Sequence, residues 1–125
     1  MSKSILNVRV GHPADESINR AAAAMQTIER GKKPTPYFGV GFEDMGQMLA
    51  VFTPKRWDLI RLLRSSGPLS IAELARRLNR NYKNVYSDCE RLIEWLAVEK
   101  DENGRMFVPF SEIVVDMKLP GQIAA

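Results

Sequence analysis

The segment TPKRWDLIRLLRSSGPLSIAELARRLNRNYKNVYSDCERLIEWLAVEK, residues 53–100, decides the fold of this 125-residue chain. Thr53-Pro54 predicts the start of a helix, because threonine caps a helix and proline fits its first turn. That helix is expected to end at the turn SSGP, residues 65–68. Ser70 and Glu73 then form a capping box, which predicts a short second helix.

A third helix is predicted from about Asn81 to Ala97, after a tight turn at residues 79–81. At about 100° per residue, one side of this helix is apolar and carries Tyr82, Val85, Cys89, Leu92 and Leu96. The opposite side carries Arg80, Lys83, Ser87 and Arg91, with Asn84 and Tyr86 on its flanks. The third helix is therefore predicted to be amphipathic, with a basic and polar outer side.

A hairpin is predicted after the third helix, because Asn103-Gly104 is a strong turn signal between strand candidates at residues 98–100 and 106–110. Three helices, the second short and tightly joined to the third, followed by a hairpin, are the order of a winged helix-turn-helix. We therefore predict an α+β fold that is mainly α. It has a winged helix-turn-helix in residues 51–125 and an N-terminal helical or extended extension in residues 1–50, used for dimerisation or partner binding.

The flanking segments are less clearly patterned. Residues 1–11 are expected to form a short strand or a tail, and residues 113–117 a strand. A helix is predicted from Pro13 to about Arg30, with one narrow apolar stripe that it cannot bury alone. Residues 35–42 have the aromatic and glycine content of a strand or an extended connector. The choice between helix and strand stays open for residues 43–52.

Composition limits the class of protein. No apolar run approaches the roughly 18 residues of a membrane span, and the N-terminus lacks the pattern of a secretory signal, so a cytoplasmic location is expected. The net charge is +3, and residues 53–91 hold nine Lys and Arg against four Asp and Glu. A basic block of this kind favours a nucleic-acid partner. The single cysteine, Cys89, is expected to be an inert core thiol.

No pattern in the sequence indicates an enzyme. His12 is the only histidine, and no cysteine or carboxylate cluster accompanies it to form a metal site or a catalytic base. The glycines of FGVGF, residues 38–42, lack the spacing and the following helix of a dinucleotide-binding loop. We therefore expect no catalytic residue, no cofactor and no metal ion.

Four motifs, in this order, resemble those of prokaryotic winged helix-turn-helix regulators of the MarR-like and antitoxin-like type. They are RWDLI at 56–60, GPLSIAELARRL at 67–78, RNYKNVYSD at 80–88 and RMFVPF at 105–110. The resemblance covers a little under half of the chain. It implies a DNA-binding transcription regulator. For a number of such proteins it also implies an antitoxin that neutralises a companion toxin and represses its own operon.

The resemblance and the outer side of the third helix together imply a set of DNA-contacting residues. A helix of this kind enters the major groove, where arginine pairs with guanine and asparagine with adenine. The implied set is Arg76, Arg77, Arg80, Asn81, Tyr82, Lys83, Asn84, Ser87, Arg91 and Arg105.

Position along the chain assigns different roles within this set. Arg76 and Arg77 are expected near phosphates and Arg105 at the wing tip. Tyr82 is expected to pack in the core with its hydroxyl toward a phosphate. Only the first two turns of the third helix, residues 80–87, are expected to enter the groove. The carboxylates that would repel DNA lie later in the helix, at Asp88, Glu90 and Glu94.

Three functions are compatible with these features of the sequence. The first is an autorepressing, antitoxin-like component of a toxin–antitoxin module, with double-stranded DNA and a companion toxin as partners. The second is a stand-alone, ligand-responsive MarR-like repressor. The third is a winged-helix protein-interaction module without DNA binding, which the basic and amide residues of the third helix disfavour. A homodimer is expected for either regulator, with the helix at 13–30 and the connector at 37–42 as candidate interfaces.

Overall fold

Five helices and five strands follow one another in the computed structural model, which describes residues 3–11, 14–32 and 37–119. In chain order the elements are β1 (Lys3–Val10), α1 (Ala14–Glu29), β2 (Phe38–Phe42), α2 (Met45–Val51), α3 (Pro54–Ser66), α4 (Ile71–Leu78), α5 (Tyr82–Glu94), β3 (Glu99–Lys100), β4 (Met106–Phe107) and β5 (Phe110–Met117). The predicted helix start at Pro13 lies outside the described residues.

The N-terminal strand β1 lies in the middle of a three-stranded parallel sheet of order β2-β1-β5. Leu6, Val8 and Val10 alternate along β1 and are buried, as expected for the inward side of a strand. The sequence allowed a strand or a tail at residues 1–11 and a strand or a connector at residues 35–42, and it predicted a strand at residues 113–117. It did not predict the parallel pairing. The division into residues 1–50 and 51–125 stays a prediction, although the sheet joins strands from both sides of it.

The helix starts follow from the caps that the sequence predicts. The Thr53 hydroxyl accepts from the amide of Arg56 at 3.2 Å, with Pro54 in the first turn of α3. The segment at 43–52, whose sequence is compatible with a helix or a strand, contains the helix α2. The Asp44 carboxylate caps this helix by accepting from the amide of Gln47 at 2.9 Å. The helix α1 leaves Met25 and Ile28 of its predicted apolar stripe exposed.

The wing is a hairpin of β3 and β4, extended by a bridge between Leu69 and Met106. Its turn contains the Asn103-Gly104 pair that the sequence marked as a hairpin signal. The amide of Gly104 donates to the carbonyl of Asp101 at 3.0 Å, and Gly104 takes a positive φ of 79°. This is a β-turn followed by a left-handed glycine, a common three-residue hairpin loop. The order of three helices and a wing confirms the predicted winged-helix arrangement.

Stacked aromatic rings connect the sheet with the helices. Phe42 of β2 stacks on Trp95, with ring centroids 4.6 Å apart, and Phe52 stacks on Trp57 at 4.9 Å. Offset stacking at such distances adds to the free energy that area burial alone supplies. Trp57 is partly buried and packs against the core, in line with its helical spacing. Among the described residues, no helix is both long and apolar enough to span a bilayer.

Gly11→Ala is expected to lower the free energy of unfolding by about 2–3 kcal/mol. Gly11 has a φ of +74°, and a Cβ atom there would lie 2.4 Å from the carbonyl oxygen of Lys118. Gly104 is the matched control, because its φ of +79° is similar and its surroundings are open. Gly104→Ala is expected to cost only about 1 kcal/mol, from backbone strain alone. Equal losses for the two variants in urea unfolding would contradict the proposed clash.

Candidate nucleic-acid interface

Two asparagines shape the turn between α4 and α5. Asn79 adopts the left-handed conformation, at φ 54° and ψ 49°, which asparagine tolerates better than most residues. Asn81 caps α5, because its side-chain oxygen accepts from the amides of Lys83 and Asn84 at 2.8 and 3.3 Å. Asn81 was predicted as a DNA contact. The side-chain oxygen of Asn81 accepts the capping hydrogen bonds, so its side-chain amide nitrogen is the group that remains available to a partner.

Three polar side chains occupy the outer side of the first two turns of α5. Lys83, Asn84 and Ser87 are all exposed. Within the described part of the chain, none of these side chains forms a hydrogen bond or an ion pair. The three residues present an ammonium, an amide and a hydroxyl, which together donate and accept hydrogen bonds. We call Lys83, Asn84 and Ser87 the outer row.

Arg80 lies on the inner side of the helix-turn-helix, not on the outer side where the sequence placed it. Its side chain is only 18% exposed, and its Nη2 atom lies 2.7 Å from Oδ2 of Asp88. The other oxygen of Asp88 accepts from Nε of Arg56 at 2.9 Å. Arg56 in turn donates to the carbonyl of Val51 at 2.8 Å. Asp88 thus links the end of α2, the start of α3, the turn and α5.

This network revises the predicted role of Asp88. The sequence grouped Asp88 with Glu90 and Glu94 as carboxylates that would repel DNA. The Asp88 side chain is 12% exposed and lies between two guanidinium groups. In the helical periodicity of α5, Asp88 borders the apolar side that carries Cys89. A carboxylate at the edge of the core requires a cation as its partner. This requirement was the signal in the sequence that Asp88 pairs with an arginine such as Arg80.

Arg76 and Arg77 share one carboxylate on the surface of α4. Nε of Arg76 donates to Glu73 at 3.1 Å, and Nε of Arg77 donates to Glu73 at 2.9 Å. These hydrogen bonds lower the pKa of Glu73 to about 2. Half of the predicted capping box is present, since the amide of Glu73 donates to the Ser70 hydroxyl at 3.1 Å. The Glu73 carboxylate contacts the two arginines instead of completing it.

The remaining predicted cations are also paired. Arg91 donates to Glu94 at 2.8 Å on the later turns of α5. Arg105 donates to Asp101 at 3.1 Å at the wing tip. Hydrogen bonds from the backbone amides of Arg105 and Asn103 lower the pKa of Asp101, which keeps this carboxylate ionised. Both arginine side chains stay about half exposed, and such surface pairs exchange partners at little free-energy cost.

The prediction that Tyr82 packs in the core is wrong. The apolar stripe of α5 is buried from Val85 onward, whereas Tyr82, in the first turn of the helix, is 53% exposed. Its ring stacks instead on that of Tyr86, with centroids 6.4 Å apart. Periodicity gives the side of a helix but not where the neighbouring elements stop covering it.

Cys89 lies on the inward side of α5 and is buried, as predicted. Burial raises the pKa of its thiol to about 12, so the thiol remains protonated and unreactive at neutral pH. Among the described residues, no group of three or more His, Cys, Asp or Glu side chains could hold a metal ion.

The family model described as HVO_A0114 matches residues 51–115. The chain belongs to the HVO_A0114 family. The matched segment includes the helix-turn-helix, the wing and most of β5, so the outer row lies inside the region that defines the family.

A solved structure is similar to this HVO_A0114 family member over part of its length. It is the multiple antibiotic-resistance repressor (MarR) from Listeria monocytogenes 4b F2365, which is 16% identical, with a TM-score of 0.43. The match covers 77% of this chain and 64% of the repressor, so the chain spans a little under two thirds of that protein. No curated protein matches the sequence.

The surface pair between Glu73 and its arginines predicts a pH dependence. The folded-state pKa of Glu73, about 2, lies below the ordinary value of 4.5. Its stabilising effect is therefore complete above about pH 4.5 and is lost as the pH falls toward 2. We expect Glu73→Gln to be less stable than the wild type at pH 5.5 and equally stable near pH 2, measured by urea unfolding. A stability difference that does not change with pH would contradict this.

Proposed function

We propose that this member of the HVO_A0114 family is a DNA-binding transcription regulator that inserts the first two turns of α5 into the major groove. The observation that carries the proposal is the outer row, whose Lys83, Asn84 and Ser87 side chains are exposed and have no partner among the described residues. Unpaired polar groups on one side of a helix-turn-helix are available to base edges at no cost in broken contacts.

Each member of the outer row has a chemical counterpart in the groove. An amide such as that of Asn84 can donate to N7 and accept from N6 of one adenine. The Ser87 hydroxyl can donate or accept and so adapts to several bases. The ammonium of Lys83 can neutralise a phosphate or donate to guanine. Asn84 is therefore proposed as the principal base-reading residue and Lys83 as a source of sequence-independent affinity.

The surrounding cations support an electrostatic role. Arg76 and Arg77 lie on α4, the helix that crosses the phosphate backbone in helix-turn-helix complexes. Arg105 lies at the wing tip, where a wing can approach the backbone or the minor groove. Each of these arginines is paired with a carboxylate, and we propose that phosphates replace the carboxylates on binding. Arg80 contributes indirectly, by holding the turn against Asp88.

The test is fluorescence anisotropy of the full chain with labelled DNA from its own promoter. We expect affinity at least about 1,000-fold tighter for the promoter than for a scrambled duplex, in the usual range for specific regulators. We also expect the logarithm of the affinity to fall linearly with the logarithm of the salt concentration. The proposal is wrong if neither the promoter nor any duplex selected from a random pool binds at moderate salt.

The regulator proposal leaves two biological settings, an antitoxin-like autorepressor and a stand-alone, ligand-responsive repressor. Purification of the native protein from its own cells separates them. A stoichiometric small partner protein supports the antitoxin setting, and its absence supports the stand-alone repressor. We propose a homodimer in either setting, because paired half-sites need two-fold symmetry. A monomeric mass by light scattering would contradict the dimer.

A further inference from the structure

Two tyrosine rings lie exposed beside the outer row. Tyr82 and Tyr86 are 53% and 43% exposed, and their rings stack at a centroid distance of 6.4 Å and an interplanar angle of 30°. The rings of Phe42, Phe52 and Trp57, in contrast, stack within or against the core. The exposed pair therefore forms a continuous apolar surface on the outside of α5.

The position of the pair relates it to the groove-facing side of the helix. At about 100° per residue, Tyr86 lies roughly 60° around the helix from Lys83, and Tyr82 lies on the same flank. Asn84 lies on the opposite flank. If the outer row faces the middle of the groove floor, the tyrosines face the base edges toward one strand. Both rings lie in the first two turns, the part of α5 that the proposed function places in the groove.

The chemistry of the major groove limits what an apolar surface can recognise there. The edges of guanine, adenine and cytosine present hydrogen-bond donors and acceptors, whereas thymine also presents a 5-methyl group. The Glu90 carboxylate on the same helix raises the pKa of Tyr86, so the Tyr86 hydroxyl is neutral at neutral pH. The exposed ring of Tyr86 therefore presents an apolar surface to DNA.

We propose that Tyr82 and Tyr86 read thymine through its 5-methyl group, and so determine part of the operator sequence. The proposal rests on the proposed function, since it requires that α5 binds duplex DNA. It adds Tyr86 to the residues that the sequence assigned to the interface. It also changes the role of Tyr82 from a core residue to a specificity-determining residue.

The experiment uses the full chain and a duplex selected by it from a random pool. We expect thymine to be enriched at one or two positions of the selected site. Each of these thymines is then replaced by deoxyuridine, which keeps base pairing and removes only the methyl group. Affinity is expected to fall about fourfold for each contacted methyl, the value for one buried methyl-sized group.

Variants of the two tyrosines test whether their rings cause the sensitivity to the thymine methyl group. The double variant Tyr82→Ala/Tyr86→Ala is expected to bind the thymine and deoxyuridine duplexes equally, because the ring surface is gone. Leu49→Ala is the matched control, since Leu49 is an apolar residue of α2 that is exposed to the same degree as Tyr86. This control is expected to keep the fourfold sensitivity.

The outcomes separate this inference from the proposed function. If no duplex is selected, the proposed function fails. If a duplex binds and deoxyuridine changes nothing at any position, the thymine proposal is overturned while DNA binding stands. The thymine proposal is also overturned if the double variant keeps the methyl sensitivity. Loss of a protein partner by the double variant, with DNA binding unchanged, would assign the tyrosines to a protein interface and overturn it too.

Discussion

Replacing Asp88 by alanine is expected to lower the free energy of unfolding by about 3 kcal/mol, the cost of breaking a buried ion pair. Asp88 contacts Arg56 and Arg80, and all three side chains are less than one fifth exposed. Its removal leaves two guanidinium groups facing each other with little water. Arg80 bears most of the loss, because Asp88 is the only ion-pair partner of its side chain among the described residues. Arg56 keeps the Val51 carbonyl.

Urea unfolding measures this loss, and a surface ion pair provides the control. Asp58 pairs with Arg61 on the exposed side of α3, where both side chains are more than half exposed. Asp58→Ala is expected to cost less than about 1 kcal/mol, the usual worth of an exposed pair. Asp88→Asn keeps the shape of the side chain. Its loss in the free energy of unfolding is expected to lie between those of Asp88→Ala and Asp58→Ala. Equal losses for Asp88→Ala and Asp58→Ala would contradict the structural role assigned to Asp88.

Asn84→Ala is expected to weaken binding to the selected DNA site by about 5- to 150-fold, the range for loss of a bidentate base contact. Its binding to scrambled DNA should change little, because a base-reading side chain adds nothing to sequence-independent affinity. The expected result is therefore a loss of specificity. Anisotropy titrations of both duplexes measure it. An equal loss on both duplexes would show that Asn84 does not read a base.

Lys83→Ala should behave in the opposite way. It is expected to weaken binding to both duplexes by a similar factor and to reduce the slope of log affinity against log salt by about 0.9, as for one phosphate contact. Lys32→Ala is the control, because Lys32 is exposed and lies outside residues 51–115 of the family segment. It should leave both affinities and the slope unchanged. A selective loss for Lys83→Ala would make Lys83 a base-reading residue.

The local features of the fold were predictable from the sequence, whereas the pairing of distant segments was not. Caps at Thr53 and Ser70 and helical periodicity predicted α3, α4 and α5 closely, because their signals lie within a few residues. The parallel sheet joins β1 to β5 across more than a hundred residues. Alternating aliphatic residues predict a strand, but the alternation does not show which other strand pairs with it.

The candidate site shows the same division between local and long-range information. Lys83 and Ser87 were predicted on the outer side and Asn84 on its flank, and the structure leaves all three exposed. Arg80 and Tyr82 lie at the junction of the turn and α5, where the helical angle alone does not determine burial. There, Arg80 is drawn inward by Asp88, and Tyr82 lies beyond the part of α5 that is buried. Tertiary packing around the turn, and not the helical angle, decides both cases.

The placement of the first two turns of α5 in the major groove can be tested by directed cleavage. A DNA-cleaving iron chelate is attached to the thiol of Ser87→Cys in the full chain. Native Cys89 does not interfere, because its thiol is buried and its pKa is raised to about 12. Lys32→Cys carries the same chelate as a control.

Placement of α5 in the groove predicts cleavage by the Ser87→Cys conjugate within each half-site, with the strand offset typical of a reagent in the major groove. It predicts no such cleavage from the Lys32→Cys conjugate. Binding without cleavage from Ser87→Cys, or the same cleavage pattern from both conjugates, would contradict the placement of α5 in the groove.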